Sequence, residues 1–524
     1  MDDAAEAPAS APAPAAEAPP PPTGDVPVRE AVLAGRFIGA KAAGVAEALA
    51  AFIAEGGLAA WFGRDAALRL AGDPDRLRAA LNRDIAAIDA MLSDQVDAIL
   101  HHPRLRRLEG TWRGVRWLLD AYEASARVKV RLLQLPWPEL CRDLERAAEF
   151  DQSQLFKKIY EDEFGTPGGE PYGLLVVDHE VRHRPGPGAP TDDVTTLGLL
   201  ASVAAAAFAP LVVSASPTLL ELDEFDDIVG VLDPAVPLRN PEHARWRALS
   251  QREDMRFVAV TLPRFLARLP WSDDGSRVDG WRYAEHAPDA ASRVWSTAGY
   301  AFAACAARAY AQFAWPADVR GVETDRVAGG LVQGLPIESF RTDPPHVAVR
   351  TPVDVVLSDR QERALVEGGL MPMGALPWTE EAVFSSVRSL QQPRAYQSAP
   401  GDRRGAVATA NARISAQLNA MLCVSRFAHY IKVMGRDMVG SYRDANTIEM
   451  EVQRWLMRYV NISSVGSPDL LARHPLAQAR VTVKEKPGQP GVYGCTIHLQ
   501  PHFQLDDVSA TFRLVTDLTG VRAP

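Results

Sequence analysis

The sequence predicts a mixed α/β protein. It should have a helical N-terminal region, a layered α/β core, and a C-terminal helix pair followed by a small sheet. Three patterns carry this expectation. Apolar residues recur at three- and four-residue steps in residues 28–125 and again after residue 410. Between those stretches, short β-rich runs alternate with Ala-rich helical ones, the pattern of a layered core. The end of the chain changes to a period of two. For 524 residues, about three to five units are expected. The expected divisions are a disordered tail at 1–27, a helical region at 28–107, an α/β domain at 108–400 and a helix-plus-sheet domain at 401–524.

The tail is nearly all Ala, Pro and acid, and Pro19 to Pro22 favour an extended polyproline stretch. It has neither the basic start nor the apolar core of a signal peptide. Val28–Ile38 is the first helical candidate. Asp73-Pro74 marks a helix start, with Asp as cap and Pro in the first turn. Leu81, Ile85, Ile88, Leu92, Val96 and Ile99 then form one apolar stripe. His101-His102 before Pro103 reads as that helix's C-terminus. Val128–Leu133 reads as a strand, and a helix is expected after Pro136-Trp-Pro. Leu174–Val177 and Met255–Thr261 read as buried strands.

Val194–Leu220 carries no charge, long enough to raise the question of a membrane span. Its Ala content and Pro210 instead suggest a buried helix up to Phe208, then a short strand at Leu211–Val213. Residues 396–410 read as a linker. Beyond it, Ala420, Val424, Phe427, Ile431, Met434 and Met438 form a packed helical seam. A second helix is expected over about 446–461. Strands follow at Val481–Lys484, Val492–Leu499 and Val508–Val515, with Pro487-Gly488 and Pro490-Gly491 making the first turn. Three strands cannot close on themselves, so they leave edges that must be covered or used.

Lys plus Arg number 56 against 66 for Asp plus Glu, a net charge of −10. That argues against a general nucleic-acid binder, which needs a basic face. Asp2, Asp3, Glu6, Glu17 and Asp25 put half of the net charge in the tail. Cys141, Cys305, Cys423 and Cys495 form neither a disulfide scaffold nor a CxxC pair, which argues against structural zinc and fits a reducing compartment.

His179-Glu-Val-Arg-His183 matches HExxH, whose chemistry needs both histidines on one face of a long helix. Here the motif follows a strand, and Pro185-Gly-Pro-Gly188 leaves room for about one turn, so a chance match is expected. The Gly165–Gly173 run lacks the Lys-Ser or Lys-Thr of a phosphate loop and reads as a shaped turn. No GxSxG elbow is present. Arg426, His429 and Lys432 share one helix face, read as solvated or dipole-facing in preference to a partner contact. By spacing alone, no catalytic, cofactor-binding or metal residue is assigned. The chain reads as an assembly component.

Longer segments resemble a known family. They are Leu108-Glu-Gly-Thr-Trp-Arg-Gly-Val-Arg-Trp117, Phe150-Asp-Gln-Ser-Gln-Leu-Phe-Lys-Lys-Ile-Tyr160, and Phe164 with the Gly-Gly-Glu-Pro-Tyr-Gly173 turn. Next come Ala244-Arg-Trp-Arg-Ala-Leu, Asp254-Met-Arg-Phe, Leu262-Pro-Arg-Phe-Leu-Ala-Arg-Leu-Pro270, Arg320-Gly-Val-Glu323 and Ser358-Asp-Arg360. Ser389-Leu-Gln-Gln-Pro393, Arg426-Phe-Ala-His-Tyr-Ile-Lys432, Arg436-Asp437 and Pro501-His-Phe-Gln-Leu505 complete the set. Together they resemble the large subunit of the bacterial type VI secretion contractile sheath, over about 108–516 and in the expected order.

The resemblance implies a structural, cytoplasmic protein without a cofactor, neither enzyme nor membrane-inserted nor nucleic-acid-binding. The implied partners are a small sheath subunit, copies of itself in a helical lattice, the inner tube protein and the baseplate. It also implies a C-terminal sheet extended by strands of neighbouring protomers. That reading makes Val481, Val483, Tyr493, Cys495, Ile497, Leu499, Val508 and Phe512 interface candidates, with Arg426, His429 and Lys432 beside them. The N-terminus departs from the family pattern. Contact with the family's AAA+ disassembly ATPase is therefore left open, as is whether this is the main or a second copy of the large subunit. Two other readings are a non-polymerising cap or scaffold of the same fold, and a zinc hydrolase using 179–183.

Overall fold

The structure is a computed structural model. It describes residues 28–33, 56–121, 127–166, 168–276, 280–322, 327–340, 342–344, 347–393, 412, 416–438, 445–461, 468–485, 493–502 and 512–518. The tail at 1–27, the linker at 396–410, the Pro487–Gly491 turn and the end of the 28–38 candidate lie outside these residues.

The chain divides into two compact units, one of residues 1–102 with 270–288, the other of residues 103–269 with 289–524. In the first, α1 (Val28–Leu33), α2 (Leu58–Phe62), α3 (Arg64–Ala71) and α4 (Pro74–Leu100) follow in order. The Asp73 carboxylate accepts from the N–H groups of Asp75 and Arg76, with Pro74 in the first turn, as expected of a cap. Arg29 and the Trp61 indole both donate to the buried Asp84 carboxylate. Residues 270–288 return to this unit: Tyr283 donates to Asp97, Trp281 to Ser93, and Glu285 lies 3.2 Å from His101. The periodic stripe on α4 is only partly covered here, with Ile85, Leu92 and Ile99 exposed.

The second unit is built on a four-stranded parallel sheet. Its strands are β1 (Leu175–Val181), β2 (Leu211–Ala215), β3 (Val258–Leu262) and β4 (Met371–Pro372), paired in that order. Parallel strands need crossovers that cover both faces. Alternation along β2 and β3 assigns residues to one face or the other. Leu211, Val213, Val258 and Val260 join the core cluster of α7 (Asp193–Ala207), while Val212 and Ala259 join that of α8 (Ala298–Phe313). Two earlier helices, α5 (Pro103–Ala121) and α6 (Trp137–Arg146), precede the sheet. The uncharged run is thus a buried helix and a buried strand split at Pro210. No helix among the described residues is long and apolar enough to cross a membrane.

The segments quoted above contain the close approaches of this unit. A Cβ at Gly110 would fall 2.2 Å from the Trp295 carbonyl oxygen, and one at Gly114 would fall 2.0 Å from Ser296 Oγ. Only glycine lets α5 come this near the Trp295–Ser296 strand. Beside them Glu109 binds both Arg113 and Arg268. Arg264 follows the Leu262-Pro263 step and pairs with the buried Asp354 at 2.7 Å. Ser358 and Gln361 form a reciprocal cap on the helix Asp359–Glu367.

The expected strand at Val128–Leu133 is corrected: no ladder forms there. Lys129 bonds Glu170, and Arg131 bonds Glu163 and Tyr172, while Leu132 and Leu133 are exposed. The alternation is real, but its polar members serve ion pairs, and among the described residues no strand pairs with it. Met255–Phe257 is a 3-10 turn, and β3 begins at Val258.

The C-terminal part of this unit begins with α9 (Leu418–Met438) and α10 (Ala445–Met457). The sheet that follows is β5 (Leu476–Glu485), β6 (Tyr493–Pro501) and β7 (Phe512–Leu518), antiparallel in that order. The α9 seam is buried through Ala420, Val424, Phe427 and Ile431. Phe427 stacks on Trp315 with centroids 4.0 Å apart, and Trp455 and Tyr459 meet it edge-on. The second helix ends earlier than expected, because Tyr459–Asn461 is drawn into pairing with Leu476. The third strand is placed at Phe512–Leu518 instead of 508–515, and Val508 lies outside the described residues.

Candidate functional site

The sequence marked the C-terminal sheet and the basic face of α9 as candidate contacts. Pairing in the sheet sets Val481 opposite Ile497 and Val483 opposite Cys495, with Leu499 opposite Phe512 across the next pair. Val481, Val483, Cys495, Ile497 and Leu499 are all buried, in the same cluster as Ile448, Val452 and Leu456 of α10. Tyr493 packs at the cluster's margin. These side chains therefore hold the sheet onto the helices. A partner strand can reach the sheet only along its backbone edges. The opposite face carries Arg480, Thr482 and Lys484 facing His498, Thr496 and Gly494 across the β5–β6 pair.

The two edges differ. On β5, the Val481 N–H donates to Gln453 Oε1 at 2.9 Å and the Val483 N–H to Glu449 Oε2 at 2.8 Å. Gln453 Nε2 donates back to the Ala479 carbonyl at 3.0 Å. At the start of the strand, the Asn461 N–H donates to the Leu476 carbonyl and the Leu476 N–H to that of Tyr459. Strand β7 is the other edge strand. Reading the sequence missed Glu449 and Gln453. The available signal was an acceptor pair four apart on the helix before a strand, which says nothing until the helix is placed beside that strand.

Arg426, His429 and Lys432 do share a face, but the expected solvated setting is corrected. The His429 ring is buried, its Nε2 donating to the Ala207 carbonyl at 3.0 Å. Burial first, and then the Arg426 charge, hold its pKa down to about 3. The Arg426 guanidinium lies 4.6 Å from the Tyr430 ring centroid and donates to the Tyr310 hydroxyl. Lys432 reaches the Tyr160 hydroxyl at 3.2 Å and lies 4.8 Å from the Phe208 ring centroid. Arg436 donates to the carbonyls of Phe164 and Thr166. Segments 150–173 and 426–436, far apart in sequence, are thus one packed interface inside this unit.

The HExxH residues do not share a site. His179 lies in β1, where its Nε2 is 3.2 Å from the Asp193 carboxylate and its ring stacks on Trp137. His183 stacks on His243 instead. Among the described residues, no cluster of His, Cys, Asp or Glu is arranged to hold a metal.

The layered α/β body with its helix pair and short antiparallel sheet falls into a family that the sequence comparisons identify. The VipB family model, described as the EvpB-type tail sheath N-terminal domain, matches residues 82–391. A second, for the tail sheath gpW/gp25-like domain, matches residues 407–518. The chain is 37% identical over 443 residues to the type VI secretion system sheath protein TssC1 of Pseudomonas aeruginosa, covering 84% of this chain and 86% of that one. It belongs to the type VI secretion tail-sheath family, as a large sheath subunit. It is a structural protein and not an enzyme, and its family implies a small sheath subunit as partner and self-assembly.

Proposed function

We propose that this chain pairs with a small sheath subunit and stacks in a cytoplasmic helical lattice around an inner tube seated on a baseplate. Shortening of that lattice drives the tube outward. A helical tube needs heterologous contacts that do not close. Strand addition at the C-terminal sheet suits this need, because backbone hydrogen bonds link protomers while the connecting segments bend. The observation that supports the reading is a three-stranded sheet with one face buried, so that its remaining bonding capacity lies at an edge strand. The bistable element is then the contact between subunits, and the packed core of each stays as it is.

The test is electron microscopy of this chain co-expressed with its small subunit. Hollow, regularly striated tubes are expected. Soluble complexes without tubes would point instead to a cap or scaffold. In the same assay, Ile497→Pro removes an N–H from the central strand and should abolish co-assembly. Normal tubes from that variant would sink the strand-addition reading.

A further inference from the structure

We propose that Val128–Leu135 is a strand laid out for a partner, and that an extended segment of the small sheath subunit pairs with its backbone. The inference rests on the pairing with a small subunit proposed above and gives it a place in the body, outside the C-terminal sheet.

The run Val-Lys-Val-Arg-Leu-Leu-Gln-Leu is strand-like in composition and in alternation. In the fold it continues from Val128 to Pro136 without a turn or a bend. Yet among the described residues none donates to or accepts from the backbone of Val128–Leu135. The segment thus has the course of a strand and none of its ladder bonds.

Side chains hold it in place. Lys129 Nζ donates to the Glu170 carboxylate at 2.7 Å. Arg131 donates to Glu163 and, at 3.3 Å, to the Tyr172 hydroxyl. These two cations are two residues apart, so one row of the segment is fastened to residues 163–172. Leu135 packs at the margin of the core cluster, and α6 begins beyond Pro136. The alternate row is left out: Val130 is 38% and Leu132 61% exposed, with Leu133 beside them at 56%. A segment held straight in this way has already lost much of the freedom that pairing would remove.

The occupant follows from symmetry and chemistry. Pairing of this segment with itself in a second copy would be isologous and would close as a two-fold dimer, whereas a helical array needs contacts that do not close. The β5 edge of another copy is bonded to its own α10. Val130, Leu132 and Leu133 carry no charge, so the incoming strand is recognised by its backbone and by apolar side chains on one face. The small sheath subunit is the other chain that the family implies.

The test uses the full chain, alone and in complex with its small subunit, read by hydrogen exchange of backbone amides. Alternate amides within 128–135 should slow about tenfold or more in the complex, because every second N–H of a strand faces a given neighbour. Leu132→Pro and Leu133→Pro, made separately, remove N–H groups of opposite direction. One of the two should weaken capture of the small subunit about tenfold or more, while both keep the denaturant midpoint of the unaltered chain. A complex in which 128–135 exchange as fast as in the free chain would overturn the assignment and leave small-subunit pairing standing. Full capture by both proline variants would do the same. Protection that appears in the unpartnered chain and rises with its concentration would overturn it in favour of a second copy. Failure of the unaltered chain to bind the small subunit would overturn the pairing reading and this inference with it.

Discussion

The parallel sheet and the C-terminal sheet of the larger unit solve opposite problems. Every residue of β2 and β3 is buried, because helices cover both faces of the parallel sheet. In β6 alternate residues from Cys495 to Pro501 are buried and those between are not. The first sheet spends its whole surface on the chain's own core. The second buries one face on the helices, and one of its edges is bonded to side chains of α10. A subunit that must hold its shape while its contacts change needs both kinds.

Substitutions separate the two. The largest effect is expected from Val213→Asp, which leaves a carboxylate without a partner in the doubly covered sheet. A loss above about 4 kcal/mol should leave little folded chain in soluble expression. Phe427→Ala empties the aromatic stack between α9 and Trp315. A loss of about 3–5 kcal/mol is expected in denaturant midpoints.

Acid acts where α9 meets the body. An unfolded histidine takes up its proton near 6.5, whereas His429 in the fold does so only near 3. Its contribution is full above the higher value and falls as pH drops toward the lower one. Between pH 8 and pH 5 that amounts to about 2 kcal/mol, measurable as a fall in stability that His429→Gln should reduce. His183 and His502, also held low by burial, act in the same direction. The smallest effect is expected from Thr482→Asp on the outer face of β5, about 1 kcal/mol or less. A loss as large as that of Val213→Asp would mean that the outer face is not a surface, and would break the comparison.

Local chemistry was legible where it sufficed. Asp73-Pro74 announced a cap, Pro210 divided helix from strand, and the period of two announced β5 and β6. Reading failed where the deciding partner was distant. Val128–Leu133 alternates like a strand, yet Glu163 and Glu170 take its basic residues. The helix over 446–461 ends early because Leu476 recruits the backbone at Tyr459–Asn461. Arg426, His429 and Lys432 looked like a solvated face because nothing nearby in sequence reveals Tyr160, Ala207 and Tyr310.

The sequence by itself determined the class of protein, most of the element types and the family, since periodicity, caps and long matching segments are properties of neighbouring residues. Only the tertiary structure decided which polar groups are satisfied and what closes the β5 edge of the last sheet. Hydrogen-bond partners of a backbone edge are chosen by distance in space, and a glutamine and a glutamate one helical turn apart become part of a sheet only when the helix is laid beside it.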